Sequence, residues 1–143
     1  MSSSQSIQFA TDHSATILVV EDEVLVRMVL ADYLQDCGFK VIEAANADEA
    51  MAIATEPTVA IDLVFSDVRM PGSIDGFALA TWLREHRRDL PVMLTSGDVG
   101  QANIVRNVFP GEVFFHKPYG LENVAAKIAQ TLLKAPGRKC ARA

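Results

Sequence analysis

The chain has 143 residues, half of them apolar, which is enough for one substantial core and too little for a second domain of useful size. Its formal charge of -5 argues against a general binder of nucleic-acid phosphates, which carries a clustered excess of Lys and Arg. Cys37 and Cys140 lack the paired spacing of a metal site, and no apolar run approaches membrane-spanning length.

In chain order, short apolar runs alternate with stretches of helical period, the mark of a parallel sheet covered by helices on both faces. Residues 1–14, Ser-rich and without the basic and apolar parts of a signal peptide, read as a flexible leader to a cytoplasmic protein. Thr16 to Val20 is a continuous β-branched run, as a strand buried on both sides should be, and it stops at Glu21-Asp22-Glu23. Val26, Leu30, Tyr33, Leu34 and Cys37 then share one helical face, with Gly38 as the stop. Lys40 to Ala44 forms a second strand, and Asn46 with Glu49 resembles a capping box for a helix carrying Ala50, Ile53 and Ala54. Pro57 closes it.

Ile61 to Ser66 is the expected third strand, delivering Asp67 at its end. Met70-Pro71-Gly72 and Asp75-Gly76 spell a loop, after which Leu79, Trp82, Leu83 and His86 fall together on a third helix. Val92 to Thr95 and Val113 to His116 are strands four and five, ended by Ser96-Gly97 and Lys117-Pro118. Between them Gln101 to Val108 is short and cut off by Pro110-Gly111, so the fourth helix is expected to be short or irregular. The last helix buries Leu121, Val124, Ala125, Ile128 and Leu132, and 135–143 reads as a disordered basic tail after a folded unit spanning 15–134.

Functional groups of an open parallel sheet gather at the carboxyl ends of its strands. Glu21, Asp22, Asp67, Ser96 and Lys117 all stand at such ends, and right-handed crossovers bring them to one edge. Three carboxylates at that distance repel one another unless a cation compensates, and Mg²⁺ suits an oxygen-rich edge of this kind. Lys117 adds a positive charge able to grip a phosphate oxygen, and Ser96 a hydroxyl for another.

Val19-Val20-Glu21-Asp22, Asp67-Val68-Arg69-Met70-Pro71-Gly72, Ser96-Gly97 and Lys117-Pro118, in that order and each at a strand end, resemble the receiver domains of bacterial response regulators in two-component signalling. The match runs over roughly residues 16–134. It implies an α/β fold, a doubly wound five-stranded parallel sheet of flavodoxin-like order 2-1-3-4-5 with helices on both faces. It further implies that Asp67 is the phospho-acceptor for a sensor histidine kinase or a histidine phosphotransfer protein. Asp22 and Asp67 would ligate Mg²⁺ directly, Glu21 mostly through water, and the main-chain carbonyl of Arg69 would be a further ligand. Lys117 would hold the phosphoryl group, Ser96 would be the switch hydroxyl, and Phe114, three before Lys117, the switch aromatic.

The chain departs from that pattern in four places. Glu21 stands where Asp is commoner, the loop from Gly72 to Gly76 is one residue longer than usual, and the fourth helix is curtailed. The choice of Ser96 over Thr95 depends on strand register; Ser96 is five residues after Pro91 and precedes a small Gly. Arg69 and Asp98 are expected to flank the mouth and to restrict attacking water.

Taken singly these residues are ordinary. An Asp after a strand is usually a turn former, Lys117 a solvated lysine, Pro118 a helix start and Phe114 a core residue. His86 and His116 have no partner at metal-site spacing. Joint occurrence favours a phosphorylated signalling protein that is not a turnover enzyme, lacks a DNA-binding output domain, and acts through an unknown downstream protein as monomer or weak homodimer. The rival readings are a receiver-fold adaptor that signals without phosphate and an aspartyl-phosphate phosphatase; the latter calls for a second acid at position 69, which is Arg.

Overall fold

In a computed structural model, residues 15–70, 72, 74–97 and 113–134 are described. Five parallel strands, β1 Thr16–Val20, β2 Lys40–Ala44, β3 Leu63–Asp67, β4 Val92–Ser96 and β5 Val113–His116, form one sheet in the order β2-β1-β3-β4-β5. Four helices accompany them among the described residues: α1 Val24–Asp36, α2 Ala47–Thr55, α3 Gly76–His86 and α4 Leu121–Lys134. The expected leader, curtailed helix, Asp98 and basic tail lie outside the described residues. No described helix is long and apolar enough to cross a membrane.

Strand composition follows position in the sheet. β1, β3 and β4 are central and buried throughout, whereas β2 and β5 are edges with exposed positions, which explains why Lys40 and Glu43 are tolerated in β2. On one face Ile17, Val19, Leu63, Phe65 and Met93 pack against Leu30 and Leu34 of α1 and Val124, Ala125 and Ile128 of α4. On the other, Leu18, Val20, Val64 and Leu94 meet Ala47, Ala50 and Ala54 of α2 and Leu79, Ala80 and Leu83 of α3. Leu34 is fully buried in the first layer. Leu34→Ala is expected to cost about 3 kcal/mol, measurable by urea denaturation.

Local chemistry sets the element ends. Gly38, at φ 104°, closes α1 with its N–H on the Gln35 carbonyl (3.0 Å), while the Phe39 N–H reaches the Leu34 carbonyl (3.1 Å). Asn46 Oδ1 accepts from the Glu49 N–H at 2.8 Å and Asp75 Oδ1 from the Ala78 N–H at 2.9 Å, capping α2 and α3. The third strand begins at Leu63, two residues later than the sequence implied, because Asp62 Oδ2 accepts from the Thr16 N–H at 2.8 Å and holds the chain in a bend there. The fourth extends through Ser96, whose carbonyl accepts the Lys117 N–H at 2.9 Å.

Candidate functional site

The carboxyl ends of β1, β3 and β5 bring Glu21, Asp67 and Lys117 together. Lys117 Nζ donates to Glu21 Oε1 at 3.1 Å and to Asp67 Oδ2 at 3.0 Å, partners that lie 96 and 50 residues before it in the chain. Asp22 completes the group: one carboxylate oxygen each from Glu21, Asp22 and Asp67 lie within 4.8 Å of one another. Glu21 and Asp67 are buried and Asp22 half-buried.

Main-chain donors fix the acids. The Arg69 N–H reaches Asp67 Oδ1 at 3.2 Å and the Glu23 N–H reaches Glu21 Oε2 at 3.2 Å. Arg27, on the first turn of α1, donates from Nη1 to the Glu21 carbonyl at 2.8 Å and from Nε to Glu43 Oε1 at 3.0 Å, tying the acidic loop to the edge strand. Neither Arg27 nor Gly76 stood out in the sequence. Gly76 approaches the acceptor strand so closely that a Cβ would run into the Asp67 carbonyl oxygen and stand 2.6 Å from Val68 Cα, and its N–H donates to the Val68 carbonyl at 2.8 Å.

An oxygen-only set of three acids with one ammonium fits a hard divalent cation. Burial first, and the Asp67 charge second, hold the Glu21 carboxyl above its ordinary range, while the Lys117 ammonium is raised by its bonds to Asp67 and Glu21 against the opposing effect of burial. An acid with a raised folded pKa contributes stability that is complete below its unfolded value and lost as pH rises through the folded one. Without divalent metal, the wild type is therefore expected to lose stability relative to Glu21→Gln as pH rises above about 4.5. Urea denaturation across that range checks this; parallel pH profiles would contradict it.

Register separates the two hydroxyls at the end of β4. Thr95 pairs with Asp67, on the face of Phe65 and Met93. Ser96 alternates to the face of Leu94, where Phe114, which pairs with Leu94, also packs. Ser96 and Phe114 thus share a side of the sheet. Tyr119, not singled out in the sequence, sits edge-on to Phe65, with ring centroids 5.7 Å apart. Burial, followed by the charge of Glu21, pushes its hydroxyl up to about 12. The Lys117-Pro118 peptide is cis.

The sequence matches the family model of the response regulator receiver domain over residues 17–129. The chain belongs to this family. The receiver domain is 38% identical over 135 residues to the sensor kinase CckA of Brucella abortus, covering 91% of this chain and 14% of that protein. A crystal structure of the receiver domain from hybrid histidine kinase CckA is 40% identical, with TM-score 0.68 over 81% of this chain and 97% of that one. The response regulator TrrA from Thermotoga maritima, solved in complex with Mg2+-BeF, is 27% identical, with TM-score 0.71 over 81% and 97%. This receiver domain spans less than half the length of the curated relatives it matches.

Proposed function

We propose that this receiver domain accepts a phosphoryl group on Asp67 from the phosphohistidine of a sensor histidine kinase or histidine phosphotransfer protein, and that the loaded state changes which proteins bind it. The observation that carries this reading is the convergence of Glu21, Asp22 and Asp67 within 4.8 Å, with Lys117 bonded to two of them. Relatedness to a receiver solved with Mg2+-BeF supports it.

In the transfer, a carboxylate oxygen of Asp67 forms the new O–P bond while the N–P bond of the phosphohistidine breaks. The electron pair stays on the ring nitrogen, which takes up a proton and leaves as neutral imidazole. Asp22, Asp67 and the Arg69 carbonyl would hold Mg²⁺, with Glu21 engaged through water; the ion supplies positive charge against the phosphoryl oxygens. Lys117 turns from the acids to a phosphoryl oxygen, and Ser96 donates its hydroxyl to another. Loading replaces the single charge of the Asp67 carboxylate with the roughly 1.5 to 2 negative charges of a phosphoryl group and adds three acceptor oxygens, and Phe114, on the same sheet face as Ser96, follows the serine inward and alters the surface along β4 and β5. The domain works as a cytoplasmic signalling module, monomeric or weakly dimeric, that assists its own loading and slow dephosphorylation.

Acetyl phosphate with Mg²⁺ tests the reading. Intact mass should rise by one phosphoryl group, and chelation with EDTA should prevent it. No mass gain would leave the second reading, an adaptor that signals without phosphate.

A further inference from the structure

Thr95 is 1% exposed, and its Oγ1 is the buried side-chain polar atom that lacks a hydrogen-bond partner among the described residues. Valine has the same shape and would fill this place without desolvating a hydroxyl, so the resting fold gains nothing from the oxygen. A buried hydroxyl kept without a partner points to a second state in which it has one.

The location narrows the partner. Thr95 pairs across β3 and β4 with Asp67, and its α-carbon register and strand alternation put both side chains on the face of Phe65 and Met93. On its other side it pairs with Phe115, whose ring lies 6.3 Å from that of Tyr119 and offers no acceptor comparable to a carboxylate. At rest Asp67 Oδ1 accepts from the Arg69 N–H and Oδ2 from Lys117 Nζ, while the Thr95 hydroxyl bonds to neither.

We propose that Thr95 is a positioning residue for the loaded site, its hydroxyl donating to the Asp67 side-chain oxygen that Lys117 releases when the lysine turns to the phosphoryl group. This rests on Asp67 being the phospho-acceptor. Thr95 replaces the lysine as donor, keeps the Asp67 side chain from swinging, and acts from the sheet face opposite Ser96. The two adjacent hydroxyls of β4 then have separate tasks: Ser96 contacts the phosphoryl group and Thr95 steadies the aspartyl group that bears it.

The test compares wild type, Thr95→Val and Thr95→Ser by thermal unfolding in EDTA and by calorimetric affinity for beryllofluoride at saturating Mg²⁺. Thr95→Val is expected to melt above the wild type without metal, yet bind beryllofluoride about tenfold more weakly, with Thr95→Ser within about twofold of wild type. Unchanged beryllofluoride affinity in Thr95→Val overturns the inference while leaving the acceptor reading intact. A metal-free melting point for Thr95→Val at or below wild type also overturns it, because the hydroxyl would then be bonded at rest. Failure of the wild type to bind beryllofluoride removes the acceptor reading itself, and this inference with it.

Discussion

Asp67→Asn is expected to take up no phosphoryl group from acetyl phosphate, a loss of at least about a thousandfold in rate, while remaining folded. The carboxamide keeps the shape of the side chain but is a far poorer nucleophile than a carboxylate. Folding should survive because Lys117 retains Glu21 as a partner at 3.1 Å, so no buried ammonium is stranded. Removing the Asp67 charge also removes the second cause of the raised Glu21 pKa, so that carboxyl should move back toward its ordinary value. Intact mass after acetyl phosphate treatment, together with a urea melt in metal-free buffer, checks both halves. A variant that still gains one phosphoryl mass would place the acceptor elsewhere.

Gly76→Ala is expected to damage both stability and the site, for a steric reason. The added methyl would meet the carbonyl oxygen of Asp67 and the α-carbon of Val68, which are backbone atoms and cannot swing aside as a side chain can. Either the start of α3 lifts away, breaking the 2.8 Å bond from the Gly76 N–H to the Val68 carbonyl, or the end of β3 moves and takes the acceptor with it. A cost of about 3 kcal/mol is expected, a large share of the roughly 5–15 kcal/mol that holds a domain together. Urea denaturation gives the stability, and Mg²⁺-dependent phosphorylation by acetyl phosphate should fall with it. A variant as stable and as active as wild type would show that the contact relaxes without consequence.

The two variants illustrate what sequence alone carries and what it does not. Glu21, Asp22, Asp67 and Lys117 were legible because each stands where a strand ends, and a parallel sheet aligns strand ends by construction. Ser96 and Phe114 were picked out in the sequence, but assigning them to one face needed the register that pairs Leu94 with Phe114, which alternation alone does not supply. Gly76 was hidden because Asp75-Gly76 reads as an ordinary turn. Its true constraint is a close approach between segments not adjacent in sequence. Arg27 was hidden likewise, since nothing local says that its guanidinium reaches both Glu21 and Glu43.

Helix α1 shows a different limit. It is apolar almost all round, so periodicity identifies Leu30 and Leu34 as core but gives no reason to leave Val24, Leu25, Met28 and Val29 outside, where they are 48 to 75% exposed. Thr95 shows a third. Its side chain suits any strand, and only the three-dimensional structure shows that its buried hydroxyl has no partner among the described residues.

The most direct measurement is a crystal structure of this chain with Mg²⁺ and beryllofluoride. The metal is expected at about 2.1 Å from oxygens of Asp22 and Asp67 and from the Arg69 carbonyl, with the beryllofluoride on Asp67 and Lys117 Nζ turned from Glu21 to a fluoride. A metal bound away from these acids, or beryllofluoride absent from Asp67 at saturating concentration, would contradict it.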